Sequence, residues 1–206
     1  MWGEHGQALL EAAQVCLINV TALGTEILKS IVLPGIGGFT IVDGGLVTEE
    51  DIGCKYVSPK CFFFFFGLSH HNPLSSFFLD TTCLGQSRAK SAVQLLQEMN
   101  PDVSSDYLDE NVETILQNSP EFFSTFKIVI ASSIKEKTLI ELSQLLWSLN
   151  IPFVHVRSVG FIASARLQYK EHCVIETHPD DKHKDLRLEQ PFDALQKHLG
   201  VSLVNF

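Results

Sequence analysis

Gly24 and Asp43 are the residues whose types and spacing suggest chemistry first. The run Val15–Asn19 is apolar, and Asn19-x-x-x-x-Gly24 leads from it into a helical pattern. A turn at such a strand-to-helix junction aims backbone N–H groups at phosphate, provided glycines let the chain approach closely. The expected G-x-G-x-x-G keeps one glycine here, Gly24. Asp43 closes a second apolar run, Phe39–Asp43, at the place where a carboxylate accepts from a ribose diol. A rival reading makes Asp43 a cap or turn residue, and Gly24 serves the tight turn on either reading. The scaffold of a nucleotide site is legible while its phosphate chemistry is worn away. That combination points to a structural partner of an enzyme rather than a catalyst.

Other polar residues carry weaker signals. His155, His172 and His178 could act as general bases, but His155 stands in an apolar strand and reads as a satisfied core residue. His178 precedes Pro179 and reads as fixing a turn. Cys61, His70 and His71 lack the spacing of metal ligands, so no metal site is expected. Cys16 lies inside an apolar strand and is a core candidate.

The elements that would position these groups follow from periodicity. Leu9–Ala13 ends a short helix, and Val15–Asn19 is a buried strand. Gly24 opens a helix to about Leu33, with Ile27, Leu28, Ile31 and Val32 at helical spacing, and Pro34-Gly35 stops it. Strands are expected at Phe39–Asp43, Ser104–Leu108, Phe126–Ala131 and Pro152–Val156, and helices at Gly85–Asn100 and Ile134–Leu149. Phe161–Tyr169 and Cys173–Thr177 form a final antiparallel pair. Asp180–Leu188 is a solvated tail, and Phe192–Leu199 a last helix. Strands alternating with helices predict an α/β sheet.

Composition bounds the function. The chain has 206 residues, enough for one domain, taken as residues 1–206. Its net charge is −9 and its pI about 5.3, which makes nucleic acid and anionic membranes poor partners. Five scattered cysteines suggest a reducing, intracellular compartment. No window is long and apolar enough for a membrane span, and the first residues do not read as a signal peptide.

Cys54–Ser76 fits nothing around it. It holds five consecutive phenylalanines, Phe62–Phe66, an aggregation hazard if exposed and a buried strand otherwise. A third reading is translated intron. A polypyrimidine tract encodes phenylalanine, Lys55-Tyr56-Val57 can encode a splice donor, and the codon of Ser76 can supply an acceptor. Excision would remove 55–75 as a non-native insert, keep the frame and join Gly53-Cys54-Asn to Phe77-Phe78-Leu79.

With that junction closed, the chain resembles the ubiquitin-like-modifier-activating enzymes of the ThiF/MoeB class, on the side of the regulatory subunits that serve protein neddylation. The matching residues are Trp2-Gly3-Glu4-His5-Gly6-Gln7, Cys16–Asn19 with Gly24-Thr25-Glu26-Ile27-Leu28-Lys29, Val32-Leu33-Pro34-Gly35-Ile36-Gly37 and Phe39–Gly44. Lys170-Glu171-His172, Val174-Ile175-Glu176, Thr177-His178-Pro179-Asp180, Asp185-Leu186-Arg187-Leu188 and Pro191-Phe192 continue the match. The Pro-Gly-Ile-Gly turn, K-E-H-x-V-I-E and H-P-D together are specific.

The resemblance implies a Rossmann-like ThiF/MoeB adenylation fold: a mostly parallel sheet flanked by helices, with antiparallel strands at its C-terminal end. Catalytic subunits of this class bind ATP through a glycine-rich turn, an aspartate ending the second strand, an Arg-Gln pair, a lysine, and an aspartate after the fourth strand. Only Gly24 and Asp43 stand at matching positions, as vestiges of a nucleotide site. The Arg-Gln pair would fall near Phe77–Asp80 and is missing. The lysine position falls near Arg88, which keeps charge but not geometry. The last aspartate would fall within Ala131–Ser133 and is missing. None of the five cysteines matches the thioester cysteine. The class also has an arginine before Trp2-Gly3 and continues past His198 into a helical domain, so the chain reads as an N-terminal fragment.

The implied role is therefore non-catalytic. The chain would form a heterodimer with a catalytic subunit that uses ATP and Mg, and would meet the ubiquitin-like modifier through the complex. The cytoplasm, with the nucleus as a second location, is expected. Ile27, Ile31 and Val32, with the Pro34 turn, are candidates for an exposed apolar partner face, although core packing against the sheet is the favoured use of each. Two alternatives stay open: a self-sufficient adenylating enzyme using Gly24, Asp43 and Arg88 on ATP, and a nicotinamide-dependent oxidoreductase using Asp43.

Overall fold

The computed structural model describes residues 3–52, 79, 81–159, 162–172 and 193. The chain divides into two units, Met1–Lys170 and Glu171–Phe206, and every element described below belongs to the first. The insert at 55–75, Phe62–Phe66, and the Cys61, His70, His71 set lie outside the described residues. So do the expected strand Cys173–Thr177, the tail Asp180–Leu188, His178 and, apart from Asp193, the helix Phe192–Leu199.

A six-stranded sheet forms the centre. Its strands are β1 (Gln14–Ile18), β2 (Gly38–Val42), β3 (Ser104–Leu108), β4 (Ile128–Ser132), β5 (Phe153–Val159) and β6 (Ile162–Gln168). They lie in the order β3-β2-β1-β4-β5-β6. The first five are parallel, and β6 runs antiparallel to β5 in register from Phe153↔Gln168 to Val159↔Ile162. The helices are α1 (Gly3–Glu11), α2 (Ala22–Val32), α3 (Glu49–Ile52), α4 (Arg88–Met99), α5 (Val112–Asn118) and α6 (Glu136–Leu149). This is the expected α/β class with its antiparallel pair. The described pair, however, is β5 with β6, because β5 extends to Val159 and pairs with β6 along its whole length.

Alternation along the strands explains the layers. Successive strand side chains point to opposite faces, so β1 sends Val15 and Leu17 into one core and Cys16 and Ile18 into the other. The first core joins these to Phe39, Ile41, Leu28, Val32 and Leu96 from β2, α2 and α4. The second joins Val42, Val129 and Phe153 to Phe123, Leu142 and Leu146. Both faces are covered, as a parallel sheet requires, and this is why its strands read as continuous apolar runs. Burial pushes the Cys16 thiol pKa up, so Cys16 is an inert core residue.

Of the two uses weighed for this face of α2, core packing is the one the structure shows. Val32 is fully buried, and Ile27 and Ile31 are half-buried against the same core. The turn that follows has a steric reason for Gly37. A side chain on Gly37 would run into the carbonyl of Glu11, where Gly37 N–H donates to Leu10 O at 3.2 Å. The close approach docks α1 onto the start of β2.

Candidate functional site

The strand order reverses between β1 and β4: β2 and β3 lie to one side of that pair, β5 and β6 to the other. Loops leaving the carboxyl ends of neighbouring strands part company there and open a crevice, the usual ligand position of such sheets. A cleft of about 760 Å³ lies at this place, lined by Asn19 and Thr21 after β1, Asp43 and Gly45 after β2, and Ser133 and Lys135 after β4. Arg88, Asp51, Asn111 and Arg157 also line it.

The first turn is built without phosphate-cradling glycines. Asn19 adopts a left-handed backbone, φ 65°, which asparagine tolerates better than most residues. Its side-chain Nδ2 donates to Ser132 O at 3.0 Å, tying the end of β1 to the end of β4. Helix α2 starts at Ala22, earlier than the expected Gly24, because Thr21 caps it. Thr21 Oγ1 accepts from Gly24 N at 3.1 Å and hydrogen-bonds Ser132 Oγ, so one amide of the helix's first turn is satisfied from within.

Gly24 therefore lies inside the first turn of α2, without a positive φ. A Cβ there would stand 3.1 Å from Leu17 Cδ1, 3.2 Å from Asn19 O and 3.2 Å from Ser132 Cβ. The glycine brings helix and strands together, which is a packing role rather than the tight-turn role read from the sequence.

Asp43 is buried and faces the cleft. Its Oδ2 accepts from Val20 N at 2.7 Å and Arg88 Nε at 2.9 Å. Its Oδ1 accepts from Gly45 N at 2.8 Å and Arg88 Nη2 at 3.0 Å. A carboxylate offers about four lone-pair positions, so protein donors take them all. Arg88 Nη1 also reaches Asp51 Oδ1 at 3.2 Å, while Asp51 Oδ2 accepts from Thr48 N at 2.8 Å. Burial opposes the charge on Arg88, but hydrogen bonding and attraction from Asp43 and then Asp51 outweigh it, and its pKa moves up.

The fourth-strand position carries no carboxylate. Ala131 is core, Ser132 is buried against Thr21, and Ser133 is exposed at the cleft. Of the segment Phe77–Asp80, Leu79 alone is described, and it is buried in the first core. His155 is not the satisfied core histidine expected from the sequence: its Nε2 is buried and has no hydrogen-bond partner among the described residues. Burial first, then Arg157 and Arg166, lower its pKa.

The sequence brought Gly24 and Asp43 to this end of the sheet, and the structure adds Asn19, Thr21, Ser132 and Asp51. Asp51 had no distinguishing signal within Glu49-Glu50-Asp51. Only the fold decides which of three adjacent acids meets Arg88.

No protein-family model matches the chain. The chain is 51% identical over 199 residues to the Nedd8-activating enzyme E1 regulatory subunit of Drosophila melanogaster, a match covering 97% of this chain. It is 46% identical over 199 residues to the subunit of the same name from Gallus gallus. Over nearly its whole length the chain is similar to NEDD8-activating enzyme regulatory subunits. It spans about a third of the length of these curated relatives, 34% and 33% respectively. The NEDD8-activating enzyme E1 regulatory subunit AXR1 of Arabidopsis thaliana is 37% identical over 205 residues, so the likeness reaches across kingdoms. Among solved structures, Escherichia coli MccB superposes with a TM-score of 0.60 at 15% identity, covering 79% of this chain and 40% of that one. That likeness shows the fold, a ThiF/MoeB-type sheet. This chain thus has the crevice at the strand reversal, with its aspartate held by an arginine.

Proposed function

We propose that the chain is the non-catalytic half of a heterodimeric activating enzyme for the ubiquitin-like modifier NEDD8, packed against a catalytic subunit that binds ATP and Mg and carries the thioester. The identity to regulatory subunits across nearly the whole chain carries this reading. The site's chemistry supports it. Adenylation needs cationic or metal-held stabilisation of the charge developing on the phosphates. Here Arg88 is neutralised by Asp43 and Asp51, the α2 N-terminus is capped by Thr21, and Ala131–Ser133 offers no metal-binding carboxylate.

Co-expression with the catalytic subunit of a NEDD8-activating enzyme is the test. A one-to-one complex that co-purifies is the expected result. A soluble, folded chain that fails to associate would overturn the proposal, and so would ATP–pyrophosphate exchange by the chain alone.

A further inference from the structure

We propose that Arg88 is a built-in occupant of a nucleoside pocket: its guanidinium holds the two Asp43 oxygens that a ribose diol would otherwise take. Removing it would open the cleft to a nucleoside with free 2′- and 3′-hydroxyls. The inference rests on the geometry of the cleft and stands whether or not the chain pairs with a catalytic subunit.

Four observations carry it. The cleft lies at the strand reversal, where ligands of open α/β sheets bind, and Asp43 ends β2, where the ribose-binding carboxylate of such sheets stands. Arg88 Nε and Nη2 form a parallel fork to Oδ2 and Oδ1, at 2.9 and 3.0 Å. Two neighbouring hydroxyl donors would bond the same pair of oxygens. The other two donors on Asp43 are the backbone N–H groups of Val20 and Gly45, at 2.7 and 2.8 Å. Backbone donors stay when a side chain is removed, so Asp43 would keep its orientation.

The surrounding loop has its own supports. Arg88 N donates to Gly45 O at 3.0 Å, Val47 N to Gln86 O at 2.9 Å and Gly85 N to Val47 O at 2.9 Å. Thr48 N and Oγ1 hold Asp51 at 2.8 and 2.9 Å. None of these bonds uses the Arg88 side chain. Its guanidinium is therefore the removable part of an otherwise preformed site.

The experiment is calorimetric titration of the full chain and of Arg88→Ala with adenosine, with 2′,3′-dideoxyadenosine as the control. Arg88→Ala is expected to bind adenosine roughly tenfold or more tightly than the unaltered chain, as hydrogen bonds from two hydroxyls to a carboxylate warrant. The dideoxy compound should show no such gain. Guanidinium ion at low millimolar concentration should compete with adenosine in Arg88→Ala and raise its Tm, since it refills the fork. A merely structural arginine would not produce that competition. If Arg88→Ala does not fold, Arg88→Gln, which is uncharged and cannot make the fork, takes its place. A folded variant that binds adenosine no better than the unaltered chain overturns the proposal. Equal binding of the dideoxy compound also overturns it.

Discussion

His155 shows how a single side chain can sit badly in a sound fold. It lies on β5 directly across from Arg166, two residues before Arg157, with a buried Nε2 that has no hydrogen-bond partner among the described residues. Burial and the two arginines lower its folded pKa, while the unfolded chain keeps the ordinary value near 6.5. Above that value both states are neutral and His155 contributes nothing to the pH dependence. As pH falls through about 6.5, the unfolded state takes the proton first and stability is lost, until the folded pKa is also passed. His155→Leu is therefore expected to flatten the decline of Tm between about pH 7 and pH 5. An unchanged slope in thermal unfolding across that range would show that other groups dominate it.

Asp43 and Gly24 make the complementary point at the same scale. Their positions were legible because each sits at the edge of an apolar run, where periodicity stops. What they do was not legible. A carboxylate at the end of β2 serves a ribose or an arginine according to which donor reaches it. That donor, Arg88, is 45 residues away in sequence.

Among the elements, α6 ends on a device that the sequence signals only faintly. Asn150 takes the left-handed conformation, φ 58°, just past the helix. Asn150 N donates to Trp147 O at 3.2 Å and Ile151 N to Leu146 O at 3.0 Å, the pairing of a Schellman motif. Ile151 and Leu146 both lie in the second core, so the motif turns the chain inward toward β5. Glycine suits that backbone better than asparagine, and a β-branched residue suits it worse. Asn150→Gly is expected to be neutral or stabilising by up to about 0.5 kcal/mol, and Asn150→Val to cost about 1–2 kcal/mol. Chemical denaturation of the two variants measures both, and a costly Asn150→Gly would mean that the asparagine side chain matters more than its backbone.

Element boundaries moved for similar local reasons. Helix α2 begins before Gly24 because Thr21 caps it, and β5 runs past Val156 because β6 pairs with it along its whole length. Helix α5 was not read from the sequence at all. It is only seven residues long, too short for a periodic stripe to stand out, and it is held by packing of Val112 and Ile115 into the second core.

For the whole molecule, one proposal remains at the level of the gene. If residues 55–75 are translated intron, amplification of the transcript across codons 50–80 is expected to yield a shorter, in-frame product that joins Gly53-Cys54 through an asparagine codon to Phe77. A single full-length product in every tissue would overturn it. Outside that segment, the sequence read alone determined the α/β class, the alternation of strands and helices, and the burial of β1 and β2. Continuous apolar runs flanked by helical stripes have few other ways to leave water. The strand order was not determined there, because each strand is chemically suited to several neighbours. Nor was the joining of Asp43 to Arg88 and Asp51. These depend on contacts between residues far apart in sequence, and such contacts exist only once the sheet has been assembled and has chosen where its strand order turns back.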